Sequence, residues 1–193
     1  MAKLIFRYGA MNCGKTMHLL QTDYNYKSYD LKTIVIKPSV DTKGGTSIVT
    51  RIGLKRKVDV LLRPHDNVRQ KLDLRDVACI LVDEAQFLQP HQVEDLWKIA
   101  KLNDIPVICY GLRTSFTSKM FVGSKPLMEL SDDLEELVTI CSCGAKAKFN
   151  ARKVNGKFVT DGNEIAIDGK DNVTYEPLCG KCYIEKVMGV DYI

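Results

Sequence analysis

The segment that most constrains this chain is Gly9-Ala10-Met11-Asn12-Cys13-Gly14-Lys15-Thr16. It matches the phosphate-binding pattern G-x-x-x-x-G-K-[ST] in full, and it stands between an apolar segment, Leu4–Tyr8, and a stretch with helical spacing, Thr16–Lys27. The glycines permit a tight turn that presents backbone N–H groups to phosphate oxygens, and the helix start adds its positive dipole end. We predict that Lys15 reaches the β- and γ-phosphates of a nucleotide and that the Thr16 hydroxyl ligates Mg²⁺. The alternative is a chance match in a strand–turn–helix connection.

The next hundred residues alternate between short apolar segments and helix-like stretches. Further apolar segments, most of them rich in β-branched residues, are Thr33–Lys37, Val58–Leu62, Ala78–Val82 and Val107–Tyr110. Apolar residues recur at a period near 3.6 across Pro90–Leu102, which predicts a second helix. Strands that alternate with helices favour an α/β fold in which a parallel sheet is flanked by helices. We predict that this P-loop domain spans residues 1–140.

The second part of a phosphate site should be a carboxylate at the end of another buried strand. Asp83 follows the apolar segment Ala78–Val82 and is predicted to hold the Mg²⁺ shell, where its charge is paired. Successive strand side chains point to opposite sides, so the neighbouring Glu84 is free for another task. It is a candidate to accept a proton from an attacking hydroxyl or to orient a water molecule. The alternative is a solvated carboxylate at a strand end.

Four of the seven cysteines form two close pairs near the end of the chain. Cys141 and Cys143 are separated by 35 intervening residues from Cys179 and Cys182. Four thiolates bind one Zn²⁺ tetrahedrally and leave no open position, so we predict a structural zinc site; two disulfides or an iron–sulfur cluster are the alternatives. The intervening segment is rich in Gly, Asn, Asp and Lys and can bury little apolar surface without such a metal. We predict a second, zinc-bound domain over residues 141–193.

Charge and hydropathy exclude several functional classes. The 193 residues carry a net charge of +4, and the densest basic stretch, Arg51–Lys57, is interpreted as a solvated or phosphate-proximal loop instead of a DNA contact. No run of 18 apolar residues predicts a membrane span, and the first residues do not form a signal peptide. We therefore expect a cytoplasmic protein that binds neither membranes nor nucleic acid. A P-loop ATPase that binds nucleic acid through a zinc module remains the alternative, although no concentrated basic groove with stacking aromatics is visible.

Two further motifs, in this order, are Asp83-Glu84-Ala85-Gln86-Phe87 and Tyr110-Gly111-Leu112-Arg113-Thr114-Ser115-Phe116. With the phosphate loop and the cysteine pairs, they make nearly the whole chain resemble the zinc-containing cytosolic thymidine kinases. The resemblance implies transfer of the γ-phosphate of MgATP to the 5′-hydroxyl of thymidine. It also implies inhibition by thymidine triphosphate and a homotetramer.

The resemblance also assigns roles to residues. Glu84 matches the catalytic base, Asp83 the magnesium-linked acid, and Gln86 the end of the acidic motif beside the nucleotide. Residues that match the substrate pocket are Phe87, Leu112, Phe116, Ile165, Ile167, Gly169 and Tyr175. Four of these lie in or near the loop Gly144–Leu178, which the family closes over the base and ties down with zinc. Lys43 stands where the family commonly has arginine, so it keeps the charge without the bidentate fork. We expect ATP binding at the phosphate loop to survive loss of a zinc ligand, because this loop rests on a different part of the core.

Overall fold

The computed structural model describes residues 1–162 and 172–190, and its centre is a six-stranded sheet. Five strands of this sheet were expected, and they are β1 (Leu4–Tyr8), β2 (Lys32–Pro38), β5 (Val60–Leu62), β6 (Val77–Val82) and β7 (Val107–Gly111). The sixth is β8 (Asp133–Glu136) at the sheet edge. The order is β5-β2-β6-β7-β1-β8, and every neighbouring pair is parallel. The predicted parallel α/β fold is confirmed.

Helices cover both faces of the sheet. They are α1 (Lys15–Lys27), α2 (Val68–Lys71), α3 (Pro90–Leu102) and α4 (Ser124–Leu130), whereas α5 (Gly180–Tyr183) packs on strands of the C-terminal segment. Leu96 of α3 and Leu127 of α4 belong to one core cluster with Ile80. Leu19 of α1 belongs to a second cluster with Leu81. Because adjacent residues of β6 point to opposite faces, a single strand contributes to both cores and must be apolar throughout.

The basic stretch Arg51–Lys57 forms the turn and second strand of a hairpin. The hairpin consists of β3 (Ser47–Val49) and β4 (Lys55–Lys57), which pair antiparallel. Arg56 is tied down by Asp23 of α1 and by Asp59, both at 2.8 Å. The hairpin is therefore fixed to the body of the protein at its base, and its turn extends over the end of the sheet that carries the phosphate loop.

The cysteine-rich segment contains strands that its composition did not predict. They are β9 (Thr139–Ile140), β10 (Lys146–Ala147), β11 (Phe149–Val154), β12 (Lys157–Val159) and β13 (Val173–Leu178). β9 pairs with β10, and a three-stranded antiparallel sheet has the order β12-β11-β13. A π-helical turn, Ile184–Met188, follows α5. The segment has its own small core, in which Ala151, Leu178 and Tyr183 are buried together with three of the four paired cysteines.

Cys79 and Cys109 are fully buried in the core. Within residues 1–162 and 172–190, no helix combines the length and the apolar character needed to cross a bilayer.

Candidate active site

Three loops meet at the carboxyl edge of the sheet, where open parallel sheets bind their ligands. The phosphate loop Gly9–Thr16 follows β1, Asp83 and Glu84 follow β6, and Leu112 follows β7. Together with the β3–β4 hairpin they enclose a cavity of about 460 Å³. Lys15, Glu84 and Leu112 all line this cavity. The structure thus brings the predicted phosphate-binding lysine and the predicted base to one site.

The phosphate loop has the tight turn that its sequence requires. Gly14 has φ 81°, in the left-handed region, and α1 begins at the next residue. A Cβ atom on Gly9 would collide with the carbonyl oxygen of Leu137 and lie 2.6 Å from the sulfur of Cys13. Lys15 folds back over the loop, and its Nζ donates to the carbonyl oxygen of Ala10 at 3.0 Å. This ammonium group is therefore held inside the concave side of the loop, where an anion would lie.

Asp83 is a nearly fully buried carboxyl group, with 5% of its surface exposed. Burial, followed by the nearby charge of Glu84, raises the pKa of Asp83 to about 8, although Lys15 partly opposes the shift. A buried carboxylate is costly without a positive partner. A cation beside Asp83 would offset this cost, and Mg²⁺ fits this oxygen donor.

Glu84 is fixed by its backbone and by a neighbouring side chain. Its φ of 49° is in the left-handed region, which turns the chain sharply at the end of β6. Gln86 donates from Nε2 to Glu84 Oε2 at 2.6 Å, and its Oε1 accepts the backbone N–H of Leu112 at 3.0 Å. A Cβ at Gly111 would lie 2.8 Å from that Oε1, so a side chain there would displace the Gln86 carboxamide from this position. Gln86 thus joins the two strand ends on either side of the cavity.

The predicted substrate residues divide into four groups. Leu112 lines the cavity. Phe87 packs edge-on against Phe121 with ring centroids 5.6 Å apart. The Phe116 ring and the Tyr175 hydroxyl meet at the guanidinium of Arg152. Ile165, Ile167 and Gly169, named from the resemblance, lie outside the described residues, as do positions 170 and 171 of the loop.

Arg152, on β11, is a residue that the sequence did not reveal. Its guanidinium carbon lies 3.7 Å from the centroid of the Phe116 ring, and its Nε donates to the Tyr175 hydroxyl at 2.8 Å. Only 4% of Arg152 is exposed. A lone arginine among lysines in a polar segment carries no signal of such burial. The cavity wall formed by Lys43 and by Thr50–Ile52 was likewise not predicted as a wall, although Arg51 there agrees with the phosphate-proximal interpretation.

The phosphate loop contacts the cysteine-rich segment directly, so the expectation that the loop rests on a separate part of the core is wrong. The backbone N–H of Met11 donates to Oδ1 of Asn150 on β11 at 2.7 Å. The contact joins residues 139 positions apart, and no pattern in the sequence predicts it.

The four paired cysteines come together as predicted. Their sulfur atoms all lie within 4.8 Å of one another, and those of Cys143 and Cys179 are 3.6 Å apart. A tetrahedral zinc site with Zn–S bonds of about 2.3 Å implies sulfur–sulfur distances of about 3.8 Å, so the donor set fits this metal. All seven cysteines are free of disulfide bonds.

The thiols of Cys141 and Cys182 have pKa values that are shifted in opposite directions. Burial opposes ionisation of Cys141, but hydrogen bonds from the backbone of Cys143 and Cys179 and from neighbouring thiols lower its pKa to about 6. The hydrogen bond between Cys182 and Cys143, followed by those to Cys141 and Cys179, raises the pKa of Cys182 to about 12.

A thymidine kinase family model matches residues 2–183. The chain is 44% identical to a thymidine kinase of Pasteurella multocida, over 97% of this chain and 99% of that protein. It is 42% identical to one of Chromobacterium violaceum, over 95% and 98%, and 40% identical to one of enterobacteria phage T4, over 96% and 97%. Among solved structures, the Pif1 helicase of Candida albicans has a TM-score of 0.42 at 14% identity, covering 70% of this chain and 36% of that chain, which is too distant to bear on function. The chain belongs to the thymidine kinase family.

Proposed function

We propose that the protein transfers the γ-phosphoryl group of MgATP to the 5′-hydroxyl of thymidine and releases thymidine monophosphate. The single observation that carries this proposal is the shared cavity, in which Lys15 and Glu84 face the same space. Phosphoryl transfer needs positive charge at the transferred group and a carboxylate near the attacking hydroxyl. Membership of the thymidine kinase family identifies the nucleoside that supplies the hydroxyl.

The phosphate end of the site is formed by Gly9–Thr16. Backbone N–H groups of this loop and the start of α1 hold the phosphates. Lys15 neutralises the negative charge that develops on the phosphoryl group during transfer. The Thr16 hydroxyl and Asp83 hold Mg²⁺, which when bound neutralises the phosphate oxygens. The high pKa of Asp83 supports this assignment, because a buried carboxyl group of this kind becomes an anion most readily beside a cation.

The nucleoside end of the site is formed by Glu84 and the residues beyond it. Glu84 accepts the proton of the 5′-hydroxyl as the oxygen attacks phosphorus. Gln86 holds the Glu84 carboxylate in place by its hydrogen bond. Through this bond Gln86 acts as part of the acidic motif beside the nucleotide. Phe87, Leu112, Phe116 and Tyr175 contact the base and sugar, with backbone groups of Ile165, Ile167 and Gly169.

The C-terminal unit supports the nucleoside site. We propose that residues 1–140 form the nucleotide-binding domain and residues 141–193 the zinc-bound domain, although β9 at Thr139–Ile140 already pairs with β10. Zinc on Cys141, Cys143, Cys179 and Cys182 fixes the ends of the loop that closes over thymidine. A homotetramer, inhibition by thymidine triphosphate and a cytoplasmic location complete the proposal, on the family relationship.

The test is a phosphoryl-transfer assay with ATP and a panel of nucleosides. We expect thymidine to be phosphorylated and purine nucleosides to be left unchanged. The rate with deoxyuridine, compared with thymidine, measures how strongly the site discriminates in favour of the thymine methyl group. Product formation with every nucleoside alike, or with none, would contradict the proposal. ATP consumption that responds to added DNA would support a nucleic-acid-dependent ATPase instead.

A further inference from the structure

Asn150 belongs to the C-terminal unit, yet its side chain contacts two loops at the carboxyl edge of the central sheet. Its Oδ1 accepts the backbone N–H of Met11 at 2.7 Å, and its Nδ2 donates to the carbonyl oxygen of Thr114 at 3.1 Å. Asn150 is 3% exposed. One buried carboxamide therefore joins β11 to the phosphate loop and to the loop that follows β7.

The contact with Met11 constrains the part of the phosphate loop that faces the cavity. Met11 is the third residue of the loop and lines the cavity together with Lys15. A backbone amide carries one N–H donor, so this peptide group cannot turn without breaking its bond to Asn150. A buried polar group left without its partner costs free energy. The shape of the loop at Met11 therefore depends on where β11 lies.

The position of β11 depends in turn on the cysteine cluster. β11 pairs with β13 over six residues, from Phe149 opposite Leu178 to Val154 opposite Val173. β13 ends immediately before Cys179, the first cysteine of the second pair. The ring of Phe149 also stacks on Tyr183, the residue after Cys182, with centroids 5.0 Å apart. A change in the cysteine cluster is thus transmitted through β13 and α5 to the strand that carries Asn150.

We propose that Asn150 is a positioning residue that couples the cysteine-clasped unit to the phosphate loop. An ordered C-terminal unit stabilises the nucleotide-binding shape of Gly9–Thr16, and a bound nucleotide favours the ordered unit. Coupling of this kind is reciprocal in binding free energy. The proposal rests on the function proposed above, since it assumes that the loop binds ATP.

A double-mutant cycle tests the coupling. The four proteins are the parent, Asn150→Ala, Cys182→Ser and the double variant, and MgATP affinity is measured by titration calorimetry without nucleoside. Lys153→Ala is the matched control, because Lys153 is also on β11 but its ion pair with Glu176, at 2.6 Å, stays within the C-terminal unit. If Asn150→Ala does not fold, Asn150→Ser replaces it in the same cycle, since the serine side chain is too short to join Met11 to Thr114 while its hydroxyl keeps the buried position polar.

We expect each single variant to bind MgATP about tenfold more weakly, within the usual range of coupling between sites. The double variant should bind no more weakly than Asn150→Ala, because the connection is already broken. Lys153→Ala should match the parent. Multiplicative losses in the double variant, or parental affinity in Asn150→Ala, would overturn the proposal. A parent that binds no MgATP would instead contradict the proposed function, and with it this coupling.

Discussion

The side-chain amide of Gln86 donates a hydrogen bond to a carboxylate oxygen of Glu84 at 2.6 Å. The same side chain accepts the backbone N–H of Leu112 at 3.0 Å and is 1% exposed. A general base must be held within reach of the proton that it abstracts. One buried carboxamide therefore orients the proposed base and, at the same time, fixes a wall of the cavity in which that base acts.

Replacing Gln86 with Glu tests this orientation. The substitution keeps the side-chain size but puts a second carboxylate beside Glu84, and two carboxylates this close retain a shared proton to higher pH. We expect kcat to fall about 100-fold near neutral pH, the cost typical of a misplaced catalytic group. The ascending limb of the pH–kcat profile should also shift to higher pH. Gln92→Glu is the control, since Gln92 is also buried but its Nε2 donates to the carbonyl oxygens of Arg63 and Asp66 and not to Glu84. An unchanged pH–rate profile in Gln86→Glu would remove the positioning role.

Glu84→Gln should separate binding from chemistry. The amide cannot accept the hydroxyl proton, while the shape of the cavity changes little. We expect affinities for ATP and thymidine near those of the parent and turnover lower by about 10²–10⁴-fold, the usual contribution of a general base. Single-turnover kinetics and equilibrium titration give the two quantities separately. Near-parental turnover in a correctly folded variant would show that another group takes the proton.

The sequence was sufficient to predict the parts of the site that lie within single motifs. Gly9–Thr16 and Asp83 follow apolar strands directly, and parallel strands end at the same edge of the sheet, so pattern and topology together place them near each other. The strand β8, Asp133–Glu136, is polar because it lies at the sheet edge and lacks a second neighbour, so hydrophobic patterning did not reveal it.

The contacts between distant segments could not be predicted in this way. Asn150 reaches Met11 across 139 positions, and Arg152 is buried against Phe116 only because β11 packs beneath that loop. Asparagine and arginine in a polar segment normally indicate solvent exposure. Their burial is a consequence of tertiary packing around the cysteine cluster, and single-sequence patterns do not encode it.

Asp83→Asn should stabilise the nucleotide-free protein at alkaline pH. The pKa of Asp83 is raised from 3.8 to about 8, so the folded state binds more protons than the unfolded state between these values. Stability contributed by this group is therefore lost as pH rises through that window. We expect a higher urea midpoint for Asp83→Asn than for the parent near pH 8, with the difference vanishing toward pH 4, and a loss of activity because the Mg²⁺ ligand is gone.

Asp132→Asn provides a control of opposite sign. Burial opposes ionisation of Asp132, but hydrogen bonds from Lys101 and from the backbone of Leu4 outweigh it and lower its pKa. Its charge therefore stabilises the fold above its ordinary pKa, and Asp132→Asn should lower the urea midpoint near neutral pH. Equal urea midpoints for Asp83→Asn and the parent across the whole pH range would show that Asp83 is not strained by burial.

Cys179→Ser should release the loop that closes over the nucleoside. Metal analysis of the parent should find about one zinc per chain, as one closed four-ligand site requires, and the variant should contain less. Because metal binding contributes to the folding free energy of such a unit, we expect thymidine affinity to fall sharply. MgATP affinity should fall less, because the phosphate loop is affected only through its coupling to Asn150. Cys109→Ala, which removes a buried thiol outside the cluster, should retain the zinc. A metal-free parent, or full thymidine affinity in Cys179→Ser, would contradict this account.

The most direct test of the central claim is to follow the γ-phosphoryl group itself. ATP labelled at the γ-phosphate is incubated with the protein, Mg²⁺ and thymidine, and the labelled products are identified by phosphorus NMR. The account predicts one ADP for each thymidine 5′-monophosphate, with no loss of ATP when thymidine is absent. Label released only as inorganic phosphate, at a rate that thymidine does not change, would contradict it.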